Sequence, residues 1–297
     1  MKKVLLSALF ASSIFANDNY IEFAGGYIEE KNNFSTNSDE KISSLGSAKS
    51  EKRAIPLIDF YYGIHASNNL NMYISANYGN INLGSIIELD NSILDIGLKG
   101  NFMQEAWRNP YLTTSKRKKT DVTELGAYLR YTINLSENLK TTLMYEYFQK
   151  DYDKEELTGD LKRDANSHLL SINNTFSTNT ASYMVNLNVQ NYDAKGEANT
   201  FNAYGLETGI STLIDDSIRL TLLANFGNKD YEKHNTAVNK KVKVKLYGTN
   251  AILNWDKPLG YKDFYTFAKM GYQKEEANVD FFDKENTYTL IGLGYKF

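Results

Sequence analysis

The chain has 297 residues, of which 33 are basic and 36 acidic, and it contains no cysteine. Its mean hydropathy is -0.47, and this composition excludes disulfides, argues against a nucleic-acid partner and offers no run of roughly 18 apolar residues for a spanning helix. The 22 tyrosines and 15 phenylalanines beside only 3 prolines favour extended β-structure.

The first residues have the pattern of a secretory signal peptide. Lys2 and Lys3 form a positive region, the segment 4–15 is apolar, and Ala16 supplies a small residue at the expected cleavage point. A buried N-terminal helix is the alternative interpretation. We predict a signal peptide at 1–16 and a mature domain at 17–297. Removing the two lysines leaves 31 basic against 36 acidic residues, a net charge near -5.

Beyond residue 19, apolar and polar residues alternate with period two. In the segment 125–135 one face carries Leu125, Ala127, Leu129, Tyr131, Ile133 and Leu135. A soluble β-sandwich would show the same alternation. Its strands, however, usually have about 5–6 residues, whereas these segments reach the roughly 10 residues that a tilted strand needs to cross a bilayer.

The sequence therefore predicts an all-β fold, a transmembrane up-and-down antiparallel β-barrel of about fourteen strands. The predicted strand centres lie near residues 25, 60, 74, 85, 98, 130, 145, 172, 187, 207, 222, 249, 269 and 292. The first strand, Tyr20–Glu30, should pair with the last, because an open edge in lipid leaves amides unpaired. If the region around Asn80 is one bent strand, the number falls to twelve.

Short and long connections alternate along the chain, as expected of periplasmic turns and external loops. The predicted turns are Ser67–Asn69, Asp90–Asn91, Ser136–Asn138, Thr178–Thr180 and Asp215–Ser217. The predicted external loops are Asn32–Lys52, Gln104–Thr120, Asp151–Asp164 and Asn228–Lys240. The loop Gln104–Thr120 contains Trp107, whose apolar ring suggests that the loop packs against another part of the protein.

The same loop carries a basic run: Lys116, Arg117, Lys118 and Lys119. Three interpretations are open: a constriction of the pore, a clamp on lipopolysaccharide phosphates, or a solvated loop tip. At the end of the chain, alternate apolar residues lead to a terminal aromatic residue: Ile291, Leu293, Tyr295 and Phe297. This pattern resembles the signal by which outer-membrane barrels are recognised by their assembly machinery.

Two short stretches resemble a known family. They are Trp107-Arg108-Asn109-Pro110-Tyr111-Leu112, and Asn278-Val279-Asp280-Phe281-Phe282-Asp283 before the ending Gly294-Tyr295-Lys296-Phe297. Both are similar to an uncharacterised family of Gram-negative outer-membrane proteins, the domain of unknown function numbered 2860. The resemblance implies an outer-membrane barrel over nearly the whole mature chain and carries no established activity.

Continued alternation predicts that charged side chains face the lumen, because a charge in lipid near the midplane costs about 2–4 kcal/mol. These candidates for ion selectivity are Asp59, Asp95, Lys99, Glu124, Arg130, Glu146, Glu207, Arg219 and Lys269. Glycines on the lumen face are expected to make room for the lumen. The alternative is an interior sealed by ion pairs and folded-in loops.

Catalysis is not expected. The stretch His65-Ala66-Ser67 has the histidine-x-serine spacing of outer-membrane phospholipases, but it ends a strand at a predicted periplasmic turn. His168 and His234 are interpreted as loop residues without metal-ligand spacing. We expect no metal, no cofactor and no nucleic-acid partner.

The functional prediction is a porin-like passive channel for small hydrophilic solutes in the bacterial outer membrane. Active transport is not expected, since the chain shows no plug or energy-coupling segment before the first strand. The alternative is a surface interaction or structural barrel whose external loops bind a partner or lipopolysaccharide. The expected partners are outer-membrane lipid, lipopolysaccharide, the barrel assembly machinery and small polar solutes.

Overall fold

A closed antiparallel barrel accounts for most of the chain in the computed structural model, which describes residues 19–77 and 79–297. Within those residues there are fourteen strands, and β14 pairs with β1. The strands are β1 (Tyr20–Asn32), β2 (Ser50–Ser67), β3 (Leu70–Asn77), β4 (Asn80–Leu89), β5 (Ser92–Trp107), β6 (Lys119–Asn134), β7 (Leu139–Tyr152), β8 (Ala165–Ser177), β9 (Ala181–Ala194), β10 (Phe201–Asp215), β11 (Ile218–Asn235), β12 (Lys240–Asp256), β13 (Phe264–Ala277) and β14 (Lys284–Lys296). The predicted fold is confirmed; the predicted signal peptide at 1–16 lies outside the described residues.

The connections include short 3-10 turns at Gly159–Leu161, Glu197–Asn199, Pro258–Gly260 and Asp280–Phe282. In the described part of the chain, no helix is long and apolar enough to cross a membrane.

The hairpin around Asn80 is present, so the alternative of twelve strands is wrong. Asn77 pairs with Asn80 across it, and both β3 and β4 are short, with 8 and 10 residues. Gly79 has φ +82°, a conformation that glycine adopts without the steric penalty of a side chain. The glycine thus allows a tight connection where the other predicted external connections are long.

The two faces of each strand differ in the sense expected of a barrel in lipid. On β9 the outer face presents Tyr183, Val185, Leu187 and Val189, all exposed, while the alternate residues are partly buried and, apart from Met184, polar. Similar apolar outer faces recur around the barrel, including the predicted assembly signal, Ile291, Leu293, Tyr295 and Phe297. Hydrophobic residues therefore lie outside and polar residues inside.

Several interior aromatic rings lie flat on the barrel wall above glycines. The rings of Tyr73 and Tyr128 cover Gly84 and Gly97 on the two strands between them. A Cβ atom added to Gly84 would lie 2.6 Å from the Tyr128 hydroxyl oxygen. Because glycine has no side chain, each ring can lie along the wall instead of projecting across the lumen.

The prediction of a loop at Asn228–Lys240 is wrong. Strand β11 continues to Asn235, which pairs with Lys240 of β12, and the pairing shifts register between Asp230 and His234. The outer face of this segment is polar, so the sequence lacks the apolar alternation by which the other strands are recognised. Its pairing is stabilised by Val242 and Val244 of β12, both buried against the external loops.

The lipid-facing position of Leu187 gives a test of the fold. Leu187→Arg puts a charge at the middle of the apolar face of β9, and we expect the free energy of unfolding to fall by about 2–4 kcal/mol. Denaturant unfolding of the protein in lipid vesicles, followed by the migration of folded and unfolded bands, measures the loss. Asn191→Arg, on the same face of the same strand but near its external end, is the control and should cost about 0–1 kcal/mol. Equal losses at both positions would contradict the proposed membrane position.

Candidate functional site

The nine charged residues predicted to face the lumen lie on the inner side of the barrel, and each is next to at least one outward-facing apolar residue. Buried among them are Asp59, Asp95, Glu124, Glu146, Glu207 and Lys269, and half-buried are Lys99, Arg130 and Arg219. The structure thus gives the position of each side chain. Their role in ion selectivity stays a prediction.

One cluster joins two of these charges to two tyrosines. Arg130 Nη1 lies 3.0 Å from Asp95 Oδ2, and the hydroxyl of Tyr73 donates to Asp95 Oδ1 at 2.9 Å. Tyr73 and Tyr128 share a hydrogen bond between their hydroxyls, and the Arg130 guanidinium lies 4.8 Å from the Tyr128 ring centroid. Both ions and both rings therefore hold one another at a fixed place on the wall.

Two further ion pairs lie along β7. Lys99 Nζ is 2.6 Å from Glu146 Oε1, and Lys150 Nζ is 2.9 Å from Glu124 Oε1. Each pair places one positive and one negative group on the inner face, and a paired charge costs far less to bury than a single one. The lumen therefore carries both signs of charge at close spacing.

Sequence reasoning missed a third cluster, near the external end of the lumen. Glu275 binds two lysines, Lys229 at 3.0 Å and Lys284 at 2.8 Å. Lys229 lies in the segment 228–240, for which the sequence predicts a loop, and Glu275 is not among the predicted lumen residues. Continuing the alternation two residues at a time from Lys269 would have placed Glu275 inside.

Glu207 differs from these paired carboxylates. Its side chain is buried on β10 opposite Asn186 of β9. Within the described residues its Oε2 atom has no hydrogen-bond partner. Among the described residues, this lumen carboxylate therefore forms no ion pair.

The external loops fold together into a hydrophobic cap over the mouth of the barrel. Because the short turns of such barrels face the periplasm, the long loops mark the external end. The buried members of the cap are Tyr111, Leu157, Val242, Val244, Phe281 and Phe282, with Phe34, Ile42 and Leu45 packed against them. The cap is a small core outside the membrane, built from segments far apart in the chain.

The two stretches that carry the family resemblance meet in this cap. The ring centroids of Tyr111 and Phe281 are 5.4 Å apart, and Phe34 packs against Phe281 at 5.3 Å and Phe282 at 5.1 Å. Asn33 adds a side-chain hydrogen bond to the carbonyl oxygen of Phe281 at 3.2 Å. The motifs are therefore parts of one contact, which their separation in sequence did not reveal.

Trp107 and Arg117 join the first two long loops. The Trp107 side chain is 1% exposed and donates from Nε1 to the carbonyl oxygen of Ser35 at 2.8 Å. Arg117 lies over its ring at 4.5 Å. The guanidinium also donates to the carbonyl oxygens of Asn33 at 2.7 Å and Asp39.

Arg117 thus lies inside the cap, only 3% exposed, and not in the lumen or at a solvated tip. Burial lowers the pKa of Arg117 to about 10, an effect opposed by the Asp39 carboxylate, so the side chain stays charged at neutral pH. The adjacent Lys116 and Lys118 are exposed, and Lys119 begins β6. The basic run is therefore one structural arginine among solvated lysines.

A second buried arginine ties the third loop to the second. Arg163 pairs with Glu155 at 2.6 Å and donates to the carbonyl oxygens of Trp107 at 2.7 Å and Arg108 at 3.2 Å. Charge-assisted hydrogen bonds of this kind are about twice as strong as neutral ones. The cap is therefore held by two cations bound to backbone carbonyls as well as by its aromatic packing.

The histidines lie apart from one another. His65 is exposed near the periplasmic end of β2. The prediction that His168 lies in a loop is wrong. It lies on the outer face of β8, and its Nδ1 atom is 2.8 Å from the Tyr145 hydroxyl oxygen. His234 is near the external end of β11 and contacts Asn239. Among the described residues no three histidine, aspartate or glutamate side chains are grouped as metal ligands.

Comparison with known proteins gives a family and a fold. A family model described as "Protein of unknown function (DUF2860)" matches residues 18–296. A FadL homologue of Pseudomonas aeruginosa has a similar structure, with a TM-score of 0.51, 11% identity, and coverage of 95% of this chain and 91% of that one. The COG4313 outer membrane channel of Pseudomonas putida F1 has a TM-score of 0.51 and 10% identity, with 94% and 96% of the chains covered.

No curated protein matches this sequence significantly. At these identities the solved structures show the fold alone, which is that of outer-membrane channels. The closed barrel, with its apolar outer surface and its outer-membrane neighbours, places this protein in the bacterial outer membrane.

The hydrogen bonds of Arg117 predict its effect on the cap. Arg117→Met keeps the apolar stem but removes the donors, each worth about 1.5–3 kcal/mol when charged. We expect hydrogen–deuterium exchange in the loops 33–49 and 108–118 to rise at least about tenfold, with exchange in the barrel strands unchanged. Lys116→Met, one residue away and exposed, is the control and should leave exchange nearly unaltered. If the two variants behave alike, Arg117 does not hold the cap.

Proposed function

Since this chain belongs to the family described as protein of unknown function (DUF2860), a family without an assigned activity, we propose from its own residues that it is a passive, porin-like channel for small hydrophilic solutes. The observation that carries the proposal is the polar lining of a wide barrel. Side chains can fill an eight-stranded barrel, whereas fourteen strands enclose a wider interior. The inner face here carries ion pairs and amides that water can hydrate.

The position of the interior aromatic rings supports an open interior. Tyr73 and Tyr128 lie against the wall over Gly84 and Gly97, so two large side chains take up little of the cross-section. A sealed interior would be better served by rings that project inward and interdigitate. The glycines were expected to make room for the lumen, and this geometry is consistent with that role.

The cap determines what kind of channel this is. It covers part of the external mouth with packed aromatic side chains, so a solute must enter the lumen through the gaps around the cap. We therefore expect a small single-channel conductance with frequent closures, and a size limit set by the cap.

A second candidate function is a surface barrel whose loops bind a partner. The observation that favours it is the anchoring of the loops by Arg117 and Arg163, which gives the external surface a fixed shape. A fixed surface lowers the entropic cost of binding another macromolecule. Conductance separates this candidate from the channel.

The lumen ion pairs give a test of the channel with opposite outcomes. Arg130→Gln leaves Asp95 without its cation and should shift the reversal potential in a salt gradient toward cation selectivity. Glu146→Gln removes the negative charge that lies 2.6 Å from Lys99 and should shift the reversal potential toward anion selectivity. Single-channel recording of the purified barrel in planar bilayers measures both shifts.

The matched control is Lys245→Gln, which removes a charge from the exposed outer side of β12 and should not change selectivity. Steady openings of the unmodified protein, with the two lumen variants displaced in opposite directions, are the expected result. Absence of conductance at any voltage from protein shown to be folded would overturn the channel and favour the surface barrel.

A further inference from the structure

Beneath the cap, at the external end of the lumen, lies a cavity of about 210 Å³. Its walls come from opposite sides of the barrel: Gln104 of β5 and Val122 of β6 on one side, Phe201 of β10 and Tyr231 of β11 on the other. Pockets for drug-sized ligands usually measure roughly 300–1,000 Å³. The cavity is therefore sized for a molecule of a single ring.

A continuous row of aromatic rings forms one wall of this cavity. Tyr192 and Phe201 are stacked, with centroids 4.7 Å apart and planes 8° apart. The row continues from Phe201 to Tyr231 at 5.3 Å, from Tyr231 to Phe282 at 5.8 Å, and from Phe282 to Phe34 at 5.1 Å. All five residues line the cavity. The later rings are tilted or edge-on to one another, with interplanar angles of 55°, 72° and 56°, so the wall offers an uneven aromatic surface against which the apolar side of a ligand can pack.

The cations that line the cavity already have anionic partners. The pairs are Lys150 with Glu124 at 2.9 Å, Arg163 with Glu155 at 2.6 Å, and Lys284 with Glu275 at 2.8 Å. An anionic ligand would have to compete with these carboxylates, and a cationic ligand with the lysines and the arginine. The pairs still offer donors and acceptors at close spacing, which suits a ligand that is neutral and rich in hydroxyl groups.

Gln104 supplies an independent sign of a polar ligand. Its side chain lines the cavity and is 7% exposed, yet its Nε2 atom has no hydrogen-bond partner within residues 19–77 and 79–297. Buried amides are almost always paired. The Nε2 atom is itself enclosed, and a turn of the amide toward the cavity lets it donate to a ligand that packs against the aromatic row.

We infer that this cavity is a binding site for a neutral sugar of one ring. The C–H groups of the sugar pack against the aromatic row at Tyr231, while its hydroxyls bond to the paired charges and accept from the Gln104 amide once it turns toward the cavity. Sugars have both faces and edges of this kind, whereas an apolar aromatic compound would leave Gln104 unpaired. This inference names a class of solute for the proposed channel. Binding of the sugar does not depend on the channel function; only its passage through the barrel rests on that proposal.

Binding can be tested without conductance. Glucose is titrated into the detergent-folded full barrel, and saturable binding is followed by calorimetry and by saturation transfer from protein to sugar protons. Tyr231→Leu removes a ring of the row, and Gln104→Leu removes the amide at similar volume. We expect each to weaken glucose binding about five- to tenfold, the loss expected for one hydrogen bond or one stacking contact.

The control is Phe226→Leu, an aromatic residue on the same strand as Tyr231 but on the outer face, 57% exposed; it should bind glucose as the unmodified protein does. Heat-dependent band migration shows whether each variant is folded. Because the two variants change opposite walls of the cavity, the test remains possible if one of them fails to fold. No saturable binding at glucose concentrations on the order of 100 mM would overturn the inference. So would tenfold tighter binding of glucose 6-phosphate or of phenol.

The two proposals fail separately. Glucose binding by a barrel that conducts no ions would overturn the channel and leave the site, and ion conductance without glucose binding would overturn the site alone. If both hold, glucose should interrupt the ion current in planar bilayers, and the interruptions should shorten in Tyr231→Leu.

Discussion

The structure depends on one constraint: in hydrocarbon, each backbone amide and carbonyl must find its partner within the protein. The pairing of β1 with β14, from Tyr20 opposite Lys296 to Asn32 opposite Lys284, meets this constraint for the two strands that would otherwise be edges. Once the sheet is closed, successive side chains have only two destinations, lipid or lumen. The sorting of apolar and charged residues follows from that closure and not from a hydrophobic core.

The cap reverses this arrangement. Inside the membrane span, polar groups lie at the centre and apolar groups outside, but above it the loops bury Tyr111, Phe281 and Phe282 at their own centre. Water surrounds the loops, so the ordinary hydrophobic effect applies there. Arg117 and Arg163 satisfy carbonyl oxygens that irregular loops would otherwise leave unpaired when buried. The cavity lies between the polar lumen and the apolar centre of the cap, which explains why its lining is both aromatic and charged.

How much the sequence could predict follows the same division. Period-two alternation sufficed for the barrel, the closing pair and the short turns, because each depends on local pattern and on the bilayer. It failed at 228–240, where a strand leaves the membrane and no longer needs an apolar outer face, and at His168, which is held on the outer face by Tyr145.

The alternation also could not find the cap. The burial of Arg117 depends on carbonyl oxygens of Asn33 and Asp39, some eighty residues earlier. Such contacts have no local signature, and a basic run reads the same whether one member is buried or none. The two family motifs could be recognised, but their contact could be learned only from the structure.

The bond from Asn33 to Phe281 spans 248 positions and connects the loop after the first strand to the loop before the last. In the closed barrel these two loops lie side by side because β1 pairs with β14. Opening the barrel at this seam would therefore also break the aromatic contacts of the cap.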